Sequence, residues 1–243
     1  MAAEKFCPAL FITGTDTGVG KTLVTAALAR HFCTKGMNVG VMKPIETGVD
    51  NTTKLGADAT LLRWAAATTD EADMISPYRF AKPLAPCQAA TAAKKIIDIV
   101  KIVKTTQSLR LSKDILLIEG AGGLMVPIRG GYIMADLAKQ LEAPVMVITH
   151  PRLGTLNHTC LTTFAARTMG LELSGFIINQ MPEFPGEAEQ EAPHLLASLA
   201  SADLIGVLPE VHGTAQDKVE ALAEKIDKMP AYQWFLSGLG LQY

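Results

Sequence analysis

Nine consecutive residues, Gly14-Thr15-Asp16-Thr17-Gly18-Val19-Gly20-Lys21-Thr22, place glycines, hydroxyls and one lysine at a spacing suited to holding phosphate. Glycines let backbone N–H groups turn inward around anionic oxygens, and a helix starting at the Gly-Lys-Thr end adds its partial positive charge. In that setting Lys21 reaches the β- and γ-phosphates of ATP as a point charge, and the Thr22 hydroxyl takes Mg²⁺. The expected nucleotide-binding segment is therefore Asp16, Thr17, Gly18, Val19, Gly20, Lys21 and Thr22. Its spacing departs from the common phosphate-loop pattern. The position five residues before Gly20 is Thr15, and Gly14 sits one residue earlier.

Five more positions carry polar groups where a ligand crevice is expected. Lys43 follows the apolar run Val39–Met42, and Thr47 comes shortly after it. A lysine after a strand is usually a solvated surface residue, but a neighbouring phosphate loop favours a role on the same phosphates. Asp58, in Gly56-Ala57-Asp58-Ala59, is either a first-turn acid favoured by the helix dipole or a Mg²⁺ ligand. Glu119 ends the apolar run Asp114–Ile118 and precedes Gly120-Ala121-Gly122-Gly123. A carboxylate there suits Mg²⁺, which takes one or two carboxylates beside water and phosphate oxygens. Asn179 ends the run Gly175–Ile178, where a side-chain amide suits adenine or simply a turn.

These residues need a scaffold that brings them to one end. Ala9–Thr13, Val39–Met42, Ile115–Ile118, Val145–Thr149, Gly175–Ile178 and Leu204–Leu208 read as strands, apolar on both faces. Helical stretches are expected at Thr22–Phe32, Ala57–Ala66, Leu156–Thr168 and, for the most part, Ala215–Leu236. The alternation predicts an α/β fold of P-loop NTPase type: one doubly wound, mainly parallel sheet flanked by helices, as a single domain over 1–243. The acidic, proline-rich stretch Pro182–Pro193 reads as a surface loop.

Of the 243 residues, 49% are hydrophobic and 19% charged, which excludes a disordered chain. A net charge of −2 lacks the basic face that nucleic acid requires. No apolar stretch approaches the about 20 residues needed to span a bilayer. Met1–Pro8 lacks the basic-then-apolar order of a secretory signal, so a cytoplasmic location is expected. Cys7, Cys33, Cys87 and Cys160 are scattered without a CxxC pair and are expected to be reduced thiols.

Taken in series, seven segments resemble the dethiobiotin synthetase family, which is related to partitioning ATPases and cobyrinic acid synthases. They are GTDTGVGKT (Gly14–Thr22), KPIETG (Lys43–Gly48), the aspartate of GADA (Asp58), SPYRFAKPLAP (Ser76–Pro86), EGAGGLMVPI (Glu119–Ile128), LGTLNH (Leu153–His158) and GFIINQM (Gly175–Met181). The phosphate loop alone is a superfamily signal, whereas EGAGG and LGxxNH in series with KPxxxG are far more specific. The resemblance weakens after about residue 210. One departure lies at Cys87, where the family often has histidine.

The resemblance implies a cyclo-ligase of biotin biosynthesis. Its substrates are 7,8-diaminopelargonic acid, CO₂ or bicarbonate, and ATP with Mg²⁺; its products are dethiobiotin, ADP and phosphate. Lys21, Lys43 and Thr17 match catalytic positions, and Thr22, Asp58 and Glu119 match metal ligands. Thr47 matches a position beside the diamine and carbamate, and Asn179 the adenine-reading asparagine. The family is homodimeric, and Leu153, Gly154, Thr155 and Asn157 match the stretch that holds the substrate carboxylate across the subunit boundary. A helix start there suits a carboxylate, although helix capping also explains Thr155 or Asn157.

Two other classes share the phosphate loop. Partitioning ATPases carry a second lysine at the position of Asp16, and an acid cannot replace it. Cobyrinic-acid-type synthetases usually add a glutaminase domain with a catalytic cysteine, for which this chain has no room.

Overall fold

The computed structural model describes residues 6–241. Of the segment read above for a secretory signal, residues 1–5 lie outside that range. In chain order the elements begin with β1 (Ala9–Gly14), α1 (Lys21–Thr34), β2 (Val39–Met42), β3 (Ile45–Thr47) and α2 (Ala57–Ala65). Next come α3 (Ala72–Ile75), β4 (Tyr78–Phe80), α4 (Pro86–Ala92), α5 (Ile99–Ser112) and β5 (Ile115–Glu119). Then follow β6 (Pro127–Arg129), β7 (Tyr132–Ile133), α6 (Met134–Gln140), β8 (Val145–Thr149) and α7 (Thr155–Thr168). The chain continues through β9 (Leu173–Met181), α8 (Glu187–Leu199), β10 (Leu204–Pro209), α9 (Ala215–Ile226) and α10 (Tyr232–Gly238).

Six strands form one sheet in the order β10-β9-β8-β1-β5-β2, and every neighbouring pair is parallel. The apolar runs are explained by burial on both faces. Leu10, Ile12, Val41, Leu117 and Ile148 point to one side, where α1, α2, α9 and α10 cover them with Val24, Leu28, Leu62, Leu222 and Phe235. The alternate residues Phe11, Met42, Ile118, Val147 and Phe176 point to the other, against Ile102 of α5, Leu137 of α6 and Leu196 of α8. Because the strands run parallel, the segments after β1, β2 and β5 leave the sheet at the same end. That end gathers the loop beginning at Thr15, Lys43, and Glu119.

Two short pairs lie outside the main sheet: β3 with β4, parallel, and β6 with β7, antiparallel. The β3–β4 pair ties the KPIETG segment to Ser76–Pro86. The stretch Pro182–Pro193 departs from the expected loop, since α8 already begins at Glu187 and carries Pro193 inside it. Glu189 caps the helix by accepting from the Gly186 N–H at 2.8 Å. Buried Ala192 and Leu196 anchor the helix to the core, and that packing outweighs the backbone hydrogen bond that proline cannot donate. The C-terminal helical stretch is broken in two, α9 and α10. Cys7, Cys33, Cys87 and Cys160 are all free thiols. Among the described residues no helix is long and apolar enough to cross a membrane.

Candidate active site

The phosphate loop spans the gap between buried Gly14 at the end of β1 and Lys21 at the start of α1. Gly20 sits at φ 88°, a left-handed conformation, and a side chain there would collide with the Asn179 amide, so glycine is required on two counts. Asp16 turns its carboxylate onto its own loop and accepts from the Thr17 N–H at 2.7 Å. Lys21 lies across the loop, and its Nζ donates to the Asp16 carbonyl at 2.8 Å. Burial lowers the Lys21 pKa, and the neighbouring Lys43 adds to that, against the attraction of Glu119.

Behind the loop, charge concentrates on Glu119, whose side chain is fully buried. Its Oε1 accepts from Lys43 Nζ at 2.5 Å and from the Thr22 hydroxyl at 2.8 Å. The same Lys43 ammonium sits 2.8 Å from Asp58 Oδ2. Burial pulls the Lys43 pKa down, but the two carboxylates Glu119 and Asp58 outweigh it, and the net shift is upward. Among the described residues, Glu119 Oε2 is buried without a hydrogen-bond partner.

Asp58 is held by a residue that sequence analysis did not single out. Glu46, in the middle of β3 and buried, accepts from the Asp58 N–H at 2.9 Å and from the Ala59 N–H at 3.4 Å. It thereby caps α2, whose N-cap, Gly56, has no side chain to do so. Burial raises the Glu46 pKa, and the Asp58 charge adds to the effect.

These groups surround a cleft of about 390 Å³. Of the sequence candidates, Thr17, Gly18, Gly20, Lys21, Thr22, Lys43, Thr47, Asp58 and Glu119 line it. Glu46, Ala121, Gly122 and Gln180 join them without having been picked out. Asp16 lies on a second cleft of about 440 Å³ on the other side of the loop, with Met125, Val126 and Leu161; the two clefts share Thr17 and Gly122. Val19 is buried beneath the loop, and its carbonyl accepts from Asn179 Nδ2 at 3.0 Å. One N–H of Asn179 is thus spent on the loop, leaving its second N–H and its oxygen.

Leu153, Gly154, Thr155 and Asn157 stand apart from the phosphate cleft of their own chain. Leu153, Gly154 and Asn157 are exposed. Thr155 turns inward: its hydroxyl pairs with Thr149 Oγ1 at 2.9 Å. Thr149 also accepts from Thr159 at 2.9 Å and from Thr15 at 3.1 Å. A buried cluster of hydroxyls therefore joins the base of the phosphate loop to the start of α7.

The donor set fits a hard divalent cation: the Thr22 hydroxyl and two carboxylates, Asp58 and Glu119, the latter with its buried Oε2 unpartnered among the described residues, beside a loop shaped for phosphate. Among the described residues no group of three or more His, Cys, Asp or Glu is arranged to hold a metal by itself. Magnesium that shares its ligands with phosphate oxygens needs no such group.

The AAA domain family model matches residues 8–218. The chain is 40% identical over 225 residues to an ATP-dependent dethiobiotin synthetase of Thermodesulfovibrio yellowstonii, covering 88% of this chain and 94% of that one. It is 34% identical over 209 residues to the enzyme of the same name from Bacillus subtilis strain 168, covering 86% and 90%. The Methanococcus vannielii enzyme of that name is 36% identical over 209 residues, covering 86% and 93%. Among solved structures, the septum site-determining protein MinD of Pyrococcus horikoshii, complexed with Mg-ADP, superposes with a TM-score of 0.55. It is 18% identical and covers 95% of this chain and 94% of its own, a likeness of P-loop NTPase fold alone.

Proposed function

Since the chain belongs to the family of ATP-dependent dethiobiotin synthetases, we propose a division of labour among its residues for closing a cyclic urea on 7,8-diaminopelargonic acid. The observation that carries this reading is the convergence of Lys21, Lys43, Thr22, Asp58 and Glu119 on one cleft beside the phosphate loop.

One amine of the diamine attacks CO₂, forming an N–C bond and releasing a proton to give a carbamate. A carbamate oxygen then attacks the γ-phosphorus of ATP, and the bond to the β-phosphate oxygen breaks to release ADP. The second amine attacks the activated carbonyl carbon, phosphate leaves, and the ring closes. No enzyme nucleophile is needed, so positioning and charge neutralisation carry the rate. Lys21 and Lys43 neutralise the carbamate and the transferring phosphoryl group, with Thr17 and Thr47 positioned beside them. Thr22, Asp58 and Glu119 would hold Mg²⁺, which supplies charge neutralisation on the phosphate oxygens. Glu46 keeps Asp58 in place by capping α2. Asn179 reads adenine with the part of its amide that the loop leaves over.

The second cleft shares Thr17 with the first and is walled by Met125, Val126 and Leu161. It suits the alkyl chain of the diamine. The substrate carboxylate goes to Leu153, Gly154, Thr155 and Asn157 of a second copy in a homodimer. The exposure of Leu153, Leu161 and Phe164 on and beside α7 supports a covered face there. Because Thr155 spends its hydroxyl on Thr149 and its backbone N–H on the Arg152 carbonyl at 3.0 Å, the carboxylate contacts fall to its neighbours in the same stretch. The whole of 1–243 acts as one ligase domain, and a cytoplasmic location accords with its substrates.

ADP release is to be measured with the diamine and bicarbonate each omitted in turn. Release that depends on both is expected, and ATP turnover indifferent to both would sink the reading. Sedimentation that finds a fully active monomer would overturn the shared carboxylate site.

A further inference from the structure

Five non-glycine residues among those described adopt positive φ: Ala67, Lys94, Glu142, Gln180 and Ser201. Four of them directly follow the C-caps of α2, α4, α6 and α8. Left-handed backbone is the ordinary way for a helix to end. Gln180 differs, because at φ 64° it lies inside β9. A left-handed residue within a strand costs free energy, and something must hold it there.

The strand ladder is irregular at the same point. Val207 of β10 pairs with Ile178, and Pro209 pairs with Met181. Asn179 and Gln180 together therefore oppose the single residue Leu208, which is a β-bulge. In a regular strand consecutive side chains point to opposite faces. Here two consecutive amides reach two consecutive carbonyls of the same loop. Asn179 Nδ2 donates to Val19 O, and Gln180 Nε2 donates to Gly18 O at 3.0 Å. Gly18 is itself left-handed, at φ 78°. Gln180 also lines the phosphate cleft.

The geometry points to Gln180 as a positioning residue of the phosphate loop. The bulge aims its amide, and the amide holds the Gly18 carbonyl away from the cleft so that the loop's N–H groups stay turned toward phosphate. The sequence neighbourhood gives the bulge a purpose: Asn179 alone anchors Val19, and without Gln180 the tip of the loop at Gly18 is free to rotate its peptide. A carbonyl turned into the cleft would face anionic oxygens and repel them. This inference rests on the ATP-binding reading of the loop.

The test is nucleotide binding, independent of ring closure. Gln180→Gly removes the tether while keeping a residue that favours the left-handed backbone, and Gln180→Glu keeps the length but cannot donate. Affinity for Mg-ADP is measured by calorimetry, KM for ATP and for the diamine by turnover, and stability by thermal unfolding. Both variants should bind nucleotide roughly three- to tenfold more weakly, the factor expected for one lost hydrogen bond. KM for ATP should rise in step while KM for the diamine stays put, and Gln180→Gly should melt no lower than wild type. Wild-type nucleotide affinity in both variants overturns the proposal, and so does a loss in Gln180→Gly matched by a lower melting temperature. Lys21→Ala serves as control: if it too leaves nucleotide affinity unchanged, the phosphate-loop reading has failed, and with it the proposal.

Discussion

Replacing Lys43 by methionine should separate what the buried charges do for the fold from what they do for the reaction. The ammonium lies 2.5 Å from Glu119 Oε1 and 2.8 Å from Asp58 Oδ2. At an effective dielectric near 20 each contact is worth roughly 6 kcal/mol of gross attraction, and desolvation takes back several kcal/mol per buried ion. Asp58 is 40% exposed, so water screens its share and rehydrates it once the lysine is gone. Glu119 is fully buried and, among the described residues, keeps the Thr22 hydroxyl as its one remaining side-chain partner. Lys43→Met should therefore cost about 3 kcal/mol at pH 7, the low end for an orphaned buried charge. Because the pKa of Lys43 is raised, the wild type has this contribution in full below the ordinary lysine range and loses it only in strong alkali. Glu119→Gln neutralises the partner, and the double variant should be more stable than the sum of the two single losses by about 1–3 kcal/mol. Urea unfolding followed by the fluorescence of Trp64 and Trp234 reads the cycle, and ADP release reads turnover. All three variants should be inactive, including the double variant whose stability is partly restored. Costs that add within about 0.5 kcal/mol would refute the coupling. Wild-type turnover in Lys43→Met would remove it from the reaction.

Burial lowers the pKa of Lys21, so the folded chain releases that proton at a lower pH than an ordinary lysine does. Phosphates favour the ammonium; ATP affinity should therefore fall as pH rises, beginning below the ordinary lysine range, with proton uptake on binding, and Lys21→Arg should flatten the profile. Calorimetry in buffers of different ionisation enthalpy checks both. Thr149→Val deprives the hydroxyls of Thr15, Thr155 and Thr159 of their shared partner and should cost about 1–3 kcal/mol in denaturant unfolding. Thr149→Ser should recover most of that; equal stability of the valine variant would show that the cluster contributes nothing.

Local chemistry made much of this protein legible. The six strand positions followed from apolar runs, because a parallel sheet covered on both faces demands them. The misreading of Pro182–Pro193 has a tertiary cause. Proline and acids read as loop, whereas Ala192 and Leu196 bury against the sheet, and that packing is invisible until the sheet exists. Glu46 passed unnoticed because only the arrival of α2 makes an acid in β3 a helix cap.

By itself the sequence determined the loop Gly14–Thr22, the residue types around it and the family, since glycine spacing, a lysine and a following helix act over a few residues. Tertiary structure decided what each group faces. Lys43 and Glu119 are 76 residues apart in sequence and share an ion pair, with Asp58 on the other side of the same ammonium. Thr155 turns to Thr149 rather than to solvent, and Gln180 leaves the regular strand to reach Gly18. The physical reason is the sheet order: β2 lies beside β5, so Lys43 meets Glu119, and β9 stands one strand away from β1 across β8, so Gln180 can reach the loop that follows β1, and that order is fixed only when the whole sheet packs.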